Sequence, residues 1–213
     1  MKRFTNFAKY YLAVLLLCLV LPVHYANGSE LQSLQNCSQS EEFRNHPEQF
    51  ALLIRHALAP GTGDPIEFTL DDCSTQRNLD ETGQQQAGKI GRLLRQTGFD
   101  SLSIFSSQWC RCRETAKLLA EGWKDNQPAL NVMDLPIINS FFQAFEKREQ
   151  QTDDLKQWLL ERSQSNTEDT LAVLITHQVN ITALTNVYPS SGEVVIVRAN
   201  DGAVEVVGTL ETL

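Results

Sequence analysis

Arg55, His56, Arg111 and His177 are the residues of this 213-residue chain whose types and placement could do chemistry. Each follows a short apolar run. Phe50-Ala51-Leu52-Leu53-Ile54 ends in Arg55-His56, and Leu102-Ser103-Ile104-Phe105 leads through Ser106-Ser107-Gln108-Trp109-Cys110 to Arg111. Leu171-Ala172-Val173-Leu174-Ile175 leads through Thr176 to His177. Short apolar runs bounded by polar loops read as buried strands. In an open α/β sheet, ligands bind in the crevice beyond the strands' carboxyl ends. A lone His or Arg at a strand end is ordinarily a boundary residue. Two of each at one edge repel one another unless an anion lies between them. Guanidinium offers a rigid fork of donors matched to phosphate oxygens, and imidazole near neutral pH can donate, accept or attack. The set calls for a phosphoryl group.

The elements that must position these residues follow from periodicity. Residues 82–96 form a helix with Ala87, Ile90, Leu93 and Leu94 on one face and Gly98 as its stop. Residues 111–121 form a second helix, whose first turn carries Arg111 beside free backbone N–H groups, a favourable setting for an anion. A third helix covers 153–162, with Leu155, Trp158 and Leu159 as its apolar stripe, and 193–198 and 203–210 close as a hairpin around Asn200-Asp201-Gly202. Residues 29–46 are polar and wrap the surface or form a short helix. The length suits one α/β domain, and no repeat, low-complexity segment or linker interrupts it.

Arg55-His56, Ser106-Ser107 with Arg111 and Glu114-Thr115-Ala116, and Thr176-His177 resemble the three signature segments of the histidine phosphatase superfamily, the phosphoglycerate-mutase-like fold. Arg77, Leu79, Gly83, Gln86 and Ala87, spaced R-x-L-x-x-x-G-x-x-Q-A, resemble the start of its first helix. The match runs in order from about Phe50 to Thr185 and is closer to the short, secreted, bacterial phosphatase-like members than to the mutases. The resemblance implies a three-layer α/β sandwich, a mostly parallel central sheet flanked by helices. It also implies a metal-independent phosphatase without a cofactor, with His56 as nucleophile and Arg55, Arg111 and His177 on the equatorial oxygens. Arg77 and Gln178 join as substrate-binding residues, although Arg77 has the alternative of pairing with Asp80 or Glu81. Gly61-Thr62-Gly63-Asp64 is a candidate pocket cover.

The departures concern small residues and the acid. Ala57 stands where the family has Gly, and Gln108 where it has Pro. The proton donor is missing from both family positions: one region reads Asn139-Ser140-Phe141-Phe142, and the second His is followed by Gln178. Asp64, Glu67, Asp71 and Glu146 are the replacement candidates, with Asp64 first even though it reads as an exposed turn residue before Pro65. Two alternatives accompany a phosphate monoesterase acting on a small molecule or glycan. One is a phosphohistidine or phosphoramidate phosphatase; the other is a non-catalytic phosphate-ligand binding protein that has lost its donor.

Residues 1–28 read as a signal peptide. Lys2, Arg3 and Lys9 precede the apolar run from Leu12 to Val23, and Ala26-Asn27-Gly28 offers small residues at the cleavage positions. An uncleaved anchor is the alternative. The domain then spans 29–213, periplasmic or secreted. Losing the leader's three cations takes the formal net charge from −8 to −11, which disfavours nucleic acid and anionic lipid as partners. A small phosphorylated substrate remains, with the oligomeric state open. Export makes disulfides the expectation for Cys37, Cys73, Cys110 and Cys112. Three complete pairings exist; Cys73–Cys110 is preferred because both flank proposed pocket arginines, and Cys112 packs in the interior.

Overall fold

The computed structural model describes residues 39–96, 101–124, 130–165 and 170–212. The leader, Cys37 and Gly98 lie outside the described residues. Six strands form one sheet in the order β3-β2-β4-β1-β5-β6: β1 (Phe50–Arg55), β2 (Leu102–Ser106), β3 (Val132–Asp134), β4 (Leu171–Thr176), β5 (Val194–Asn200) and β6 (Ala203–Leu210). The first four named strands of that order run parallel, and β5 is antiparallel to both β1 and β6.

The continuous apolar runs of β1 and β4 arise because both faces of the sheet are covered. Leu52 and Ile54 pack with Ile90, Leu94, Leu119 and Trp123, from α2 (Glu81–Gln96) and α3 (Cys110–Trp123). The alternate residues Ala51 and Leu53 pack on the other face with Leu155, Leu159 and Ile181, from α4 (Arg148–Ser163) and α5 (Gln178–Thr185). This is the three-layer α/β sandwich expected from the sequence. The closing hairpin is also as expected, and Asp201 (φ 49°) and Gly202 (φ 78°) supply the two left-handed residues of its turn.

Against the periodicity reading, one helix starts earlier, the polar segment before β1 takes its short-helix alternative, and two short elements go unannounced. α4 starts at Arg148, because its polar first turn carries no apolar stripe to mark it. The polar segment before β1 resolves into α1 (Glu41–Asn45), capped by the Ser40 hydroxyl, which accepts from Phe43 N at 3.1 Å. β3 and α5 are too short to show a period. Asp80 caps α2 by accepting from Gly83 N at 2.8 Å. A Cβ on Gly83 would lie 2.0 Å from the Leu58 carbonyl oxygen, so glycine lets α2 sit directly on the loop that follows His56.

Sheet register brings the chemistry together. Arg55 lies opposite Thr176, and Ser106 opposite Ile175. The ladder continues one step further, with His56 N donating to Thr176 O and Ser107 N to Ile175 O, both at 2.9 Å. His56, His177 and the Ser107–Arg111 turn therefore emerge side by side at one edge.

Candidate active site

Arg55, His56, Arg77, Arg111, His177 and Gln178 all line one cavity of about 520 Å³. Its roof comes from two loops, through Gly61–Asp64 and Ser140–Lys147, joined where Gln143 Nε2 donates to Asp64 O at 3.1 Å.

His56 is buried, and its Nδ1 lies 2.8 Å from the Ala57 carbonyl oxygen. A carbonyl only accepts, so Nδ1 carries the hydrogen and Nε2 keeps its lone pair. Among the described residues no group bonds Nε2. Burial, with Arg111, Arg77 and Arg55 adding repulsion, pushes the imidazole pKa down from 6.5 to about 3, so the ring is neutral near pH 7. Thr115 fixes the next residue: its Oγ1 accepts from Ala57 N at 3.1 Å and donates to Arg111 O at 2.6 Å. Gln86 holds the loop further on, accepting from Leu58 N at 3.0 Å and donating to Ser191 O at 2.6 Å. Gly83 and Gln86 of the spaced motif thus build the floor beneath the nucleophile.

The His177 ring stands 5.5 Å from that of His56, centroid to centroid, and 5.2 Å from that of Trp109. Arg111 Nη2 approaches His177 Nδ1 at 3.4 Å, and guanidinium cannot accept, so Nδ1 is the acceptor. Nε2–H then donates to Ser107 Oγ at 2.9 Å. Burial, followed by His56 and the arginines, holds His177 well below the usual imidazole range. Neither ring nitrogen of His177 offers a free N–H, since Nδ1 accepts from Arg111 and Nε2–H is spent on Ser107. Ser107 passes its hydrogen to Asn139 Oδ1 at 3.2 Å, and Asn139 also accepts from Gln108 N at 2.8 Å. Asn139, in a region where the family places an acid, is therefore an amide spent on holding the Ser107–Gln108 turn.

Arg77 does not pair with Asp80 or Glu81; its Nε donates to Gly63 O at 2.9 Å and its Nη1 to Ala59 O. It lines the cavity while tying the roof loop down. Arg55 is anchored by Nη1 donating to Pro189 O at 2.9 Å.

Asp64 corrects the sequence reading most sharply, since its side chain is only 5 % exposed. Its Oδ1 accepts from Arg111 Nη1 at 2.7 Å and its Oδ2 from Arg111 Nη2 at 3.0 Å. Arg77 N adds a bond to Oδ1 and Trp109 Nε1 one to Oδ2, both at 3.1 Å. Burial opposes ionisation, but the Arg111 guanidinium and these donors outweigh it and hold the carboxyl below its ordinary 3.8. Glu67, Asp71 and Glu146 are exposed and do not line the cavity.

The α3 N-terminus is less open to an anion than its position suggests, because Gln76 Oε1 caps Cys110 N at 2.9 Å. A disulfide joins Cys110 to Cys73. Cys112 is a buried free thiol whose pKa is pushed up to about 12 by burial. Among the described residues no group of three or more His, Cys, Asp or Glu side chains is arranged to hold a metal ion. Sequence reasoning missed Ser107's bond to His177, the roles of Asn139 and Trp109, and the roof residues Phe142, Gln143 and Lys147; Ser107, Asn139 and Phe142 lay in segments the family pattern drew notice to, but nothing in their types announced these contacts.

No curated protein matches the sequence. Among solved structures, the protein histidine phosphatase SixA complexed with tungstate is 13 % identical, with a TM-score of 0.53 over 76 % of this chain and 97 % of that one. A phosphoserine phosphatase variant from Entamoeba histolytica, in complex with phosphoserine, is 14 % identical with a TM-score of 0.52 over 76 % and 97 %. A mycobacterial glucosyl-3-phosphoglycerate phosphatase in complex with VO3 is 14 % identical with a TM-score of 0.52 over 74 % and 97 %. At such identities the likeness is one of fold. The family model of the histidine phosphatase superfamily (branch 1) matches residues 51–171, more than half of the chain. The chain belongs to the histidine phosphatase superfamily.

Proposed function

We propose that this protein is an exported, metal-independent phosphatase that hydrolyses a phosphate monoester of a small molecule or glycan through a phosphohistidine on His56. The observation that carries the reading is a neutral His56, its Nδ1–H engaged by Ala57 and its Nε2 left open in a cavity walled by Arg55, Arg77 and Arg111. Nε2 attacks phosphorus in line; the P–N bond forms as the ester P–O bond breaks, and the leaving oxygen takes a proton. Water then cleaves P–N, and His56 returns to its neutral tautomer. Fixed arginine charge stabilises the equatorial oxygens in both steps, the task a metal ion performs in other phosphoryl-transfer sites.

His177 joins the oxygens once protonated, which the arriving phosphoryl charge favours by offsetting the repulsion of the arginines. Asp64 is the one carboxyl group lining the cavity among the described residues and is the proton donor of this reading. It must first leave Arg111, where it is held ionised, and take up a proton from solvent or from a monoanionic phosphate ester before it can donate one. That requirement favours a second reading of the substrate, a phosphoramidate such as phosphohistidine, whose leaving nitrogen needs less help from an acid. Export rests on the charged and apolar composition of residues 1–28.

The test is hydrolysis of a panel of phosphosugars, alkyl and aryl phosphates and phosphohistidine by purified protein in the presence of a chelator. Release of phosphate, lost in His56→Ala, is expected. Tight phosphate binding without turnover of any compound would instead mark a binding protein.

A further inference from the structure

All four terminal N–H groups of Arg111 are engaged by the protein itself. Two go to Asp64, one to the Arg77 carbonyl at 3.4 Å and one to His177 Nδ1 at 3.4 Å. Its Nε is buried and unpartnered among the described residues. An oxyanion entering the cavity therefore finds no free donor on Arg111 that it can reach.

The Asp64 carboxylate meanwhile sits as a phosphoryl group would. Its two oxygens lie on the guanidinium fork, and an indole N–H and a backbone N–H complete four donors around one anion. We propose that Asp64 is an internal anion that keeps the phosphoryl seat at Arg111 in the empty site and is displaced from it when the substrate's phosphoryl group enters. The proposal rests on the phosphatase reading and deepens it, because displacement is also what frees Asp64 to act on the leaving group.

Three features make the exchange feasible. A phosphate monoester carries up to two negative charges against one on Asp64, so it is the stronger partner for the same fork. Asp64 ends a strap whose Gly61 (φ 93°) and Gly63 (φ 68°) hold left-handed conformations, and Gly61 and Thr62 are exposed. The strap backbone is also tethered independently of the Asp64 carboxylate, through Arg77 Nε to Gly63 O and Gln143 Nε2 to Asp64 O. The carboxylate can thus swing by side-chain rotation while the backbone stays attached.

Tungstate, titrated calorimetrically into wild type and Asp64→Asn, tests the exchange without turnover. A seat occupied most of the time lowers apparent affinity by the fraction free, so Asp64→Asn should bind about tenfold more tightly or better. A crystal structure of the wild-type tungstate complex gives the second measurement: tungstate oxygens on Arg111 Nη1 and Nη2, with Asp64 off the guanidinium. Unchanged or weaker binding by Asp64→Asn, or an Asp64 still bidentate on Arg111 beside bound tungstate, overturns the exchange. If wild type nevertheless hydrolyses phosphate esters, the phosphatase reading stands. Absence of tungstate binding to either protein, with no hydrolysis of any ester, would remove both.

Discussion

The Nδ1 of His56 lies 2.8 Å from the carbonyl oxygen of Ala57, its own neighbour in the chain. That contact fixes the tautomer that leaves Nε2 available, and it comes from the backbone at the end of β1, not from a carboxylate. The contact by itself favours the protonated ring, but burial and the neighbouring arginines outweigh it, so the nucleophile is oriented and stays neutral. In nitrogen-15 spectra His56 should show a neutral ring with hydrogen on Nδ1 at pH 5, well above its pKa of about 3. An imidazolium at pH 5 would contradict this.

Two buried neutral histidines make the fold acid-sensitive. His56 and His177 both have folded pKa values below the unfolded value of 6.5. Below about pH 6.5 the unfolded chain binds protons that the native state refuses, so stability falls as the pH drops. Each group contributes up to about 1.4 kcal/mol per pH unit, together about 2.7. Asp64 adds a loss of the same sign at lower pH, where its ion pair with Arg111 is protonated away. Urea unfolding at pH 7, 6 and 5 should show this decline, shallower in His177→Asn. A flat profile between pH 7 and 5 would refute the assignment of neutral, buried rings.

Gly83→Ala should damage both stability and activity although it lies outside the cavity. The added methyl meets the Leu58 carbonyl oxygen at 2.0 Å, and backbone cannot step aside as a flexible side chain would. Overpacking of this kind costs about 1–3 kcal/mol. The shift should also move Leu58 and the His56–Ala57 segment before it, lowering kcat/KM by about tenfold. Thermal unfolding together with ester hydrolysis decides the matter; an unchanged kcat/KM would show that α2 does not support the nucleophile.

The Cys73–Cys110 bridge ties the loop leading to Arg77 to the first residue of α3, next to Arg111. Replacing both cysteines by serine should destabilise the protein by about 2–4 kcal/mol. It should also weaken phosphate binding, because Arg77 and Arg111 lose a shared anchor. Thermal midpoints and phosphate titration of the double variant read the two effects separately; no change in either would show that the hydrogen bonds around Gln76 suffice.

Much of this was legible in the sequence. Continuous apolar runs announce strands covered on both faces, and the residues at their ends announce the site, because register in a parallel sheet brings equivalent strand ends together. Sequence reasoning takes Asp64 for an exposed turn residue: Gly-Asp-Pro is a turn sequence locally, and the partners that bury the carboxylate lie 13, 45 and 47 positions away. Asn139 shows the same limit. Its spacing from the other segments pointed to a missing acid, whereas its structural duty to Ser107 and Gln108 depends on two loops meeting across β2 and β3. Short elements such as α5 gave no periodicity, so the helix that begins at Gln178 emerged only from the fold.

The most direct test is chemical trapping of the intermediate. Wild-type protein mixed with a labelled activated aryl phosphate and quenched in alkaline denaturant should carry label on one histidine, stable to base and labile to acid. Peptide mapping should place it on Nε2 of His56, and His56→Ala should carry none. Label on His177, on Cys112 or on a carboxylate, or full turnover by His56→Ala, would contradict the account.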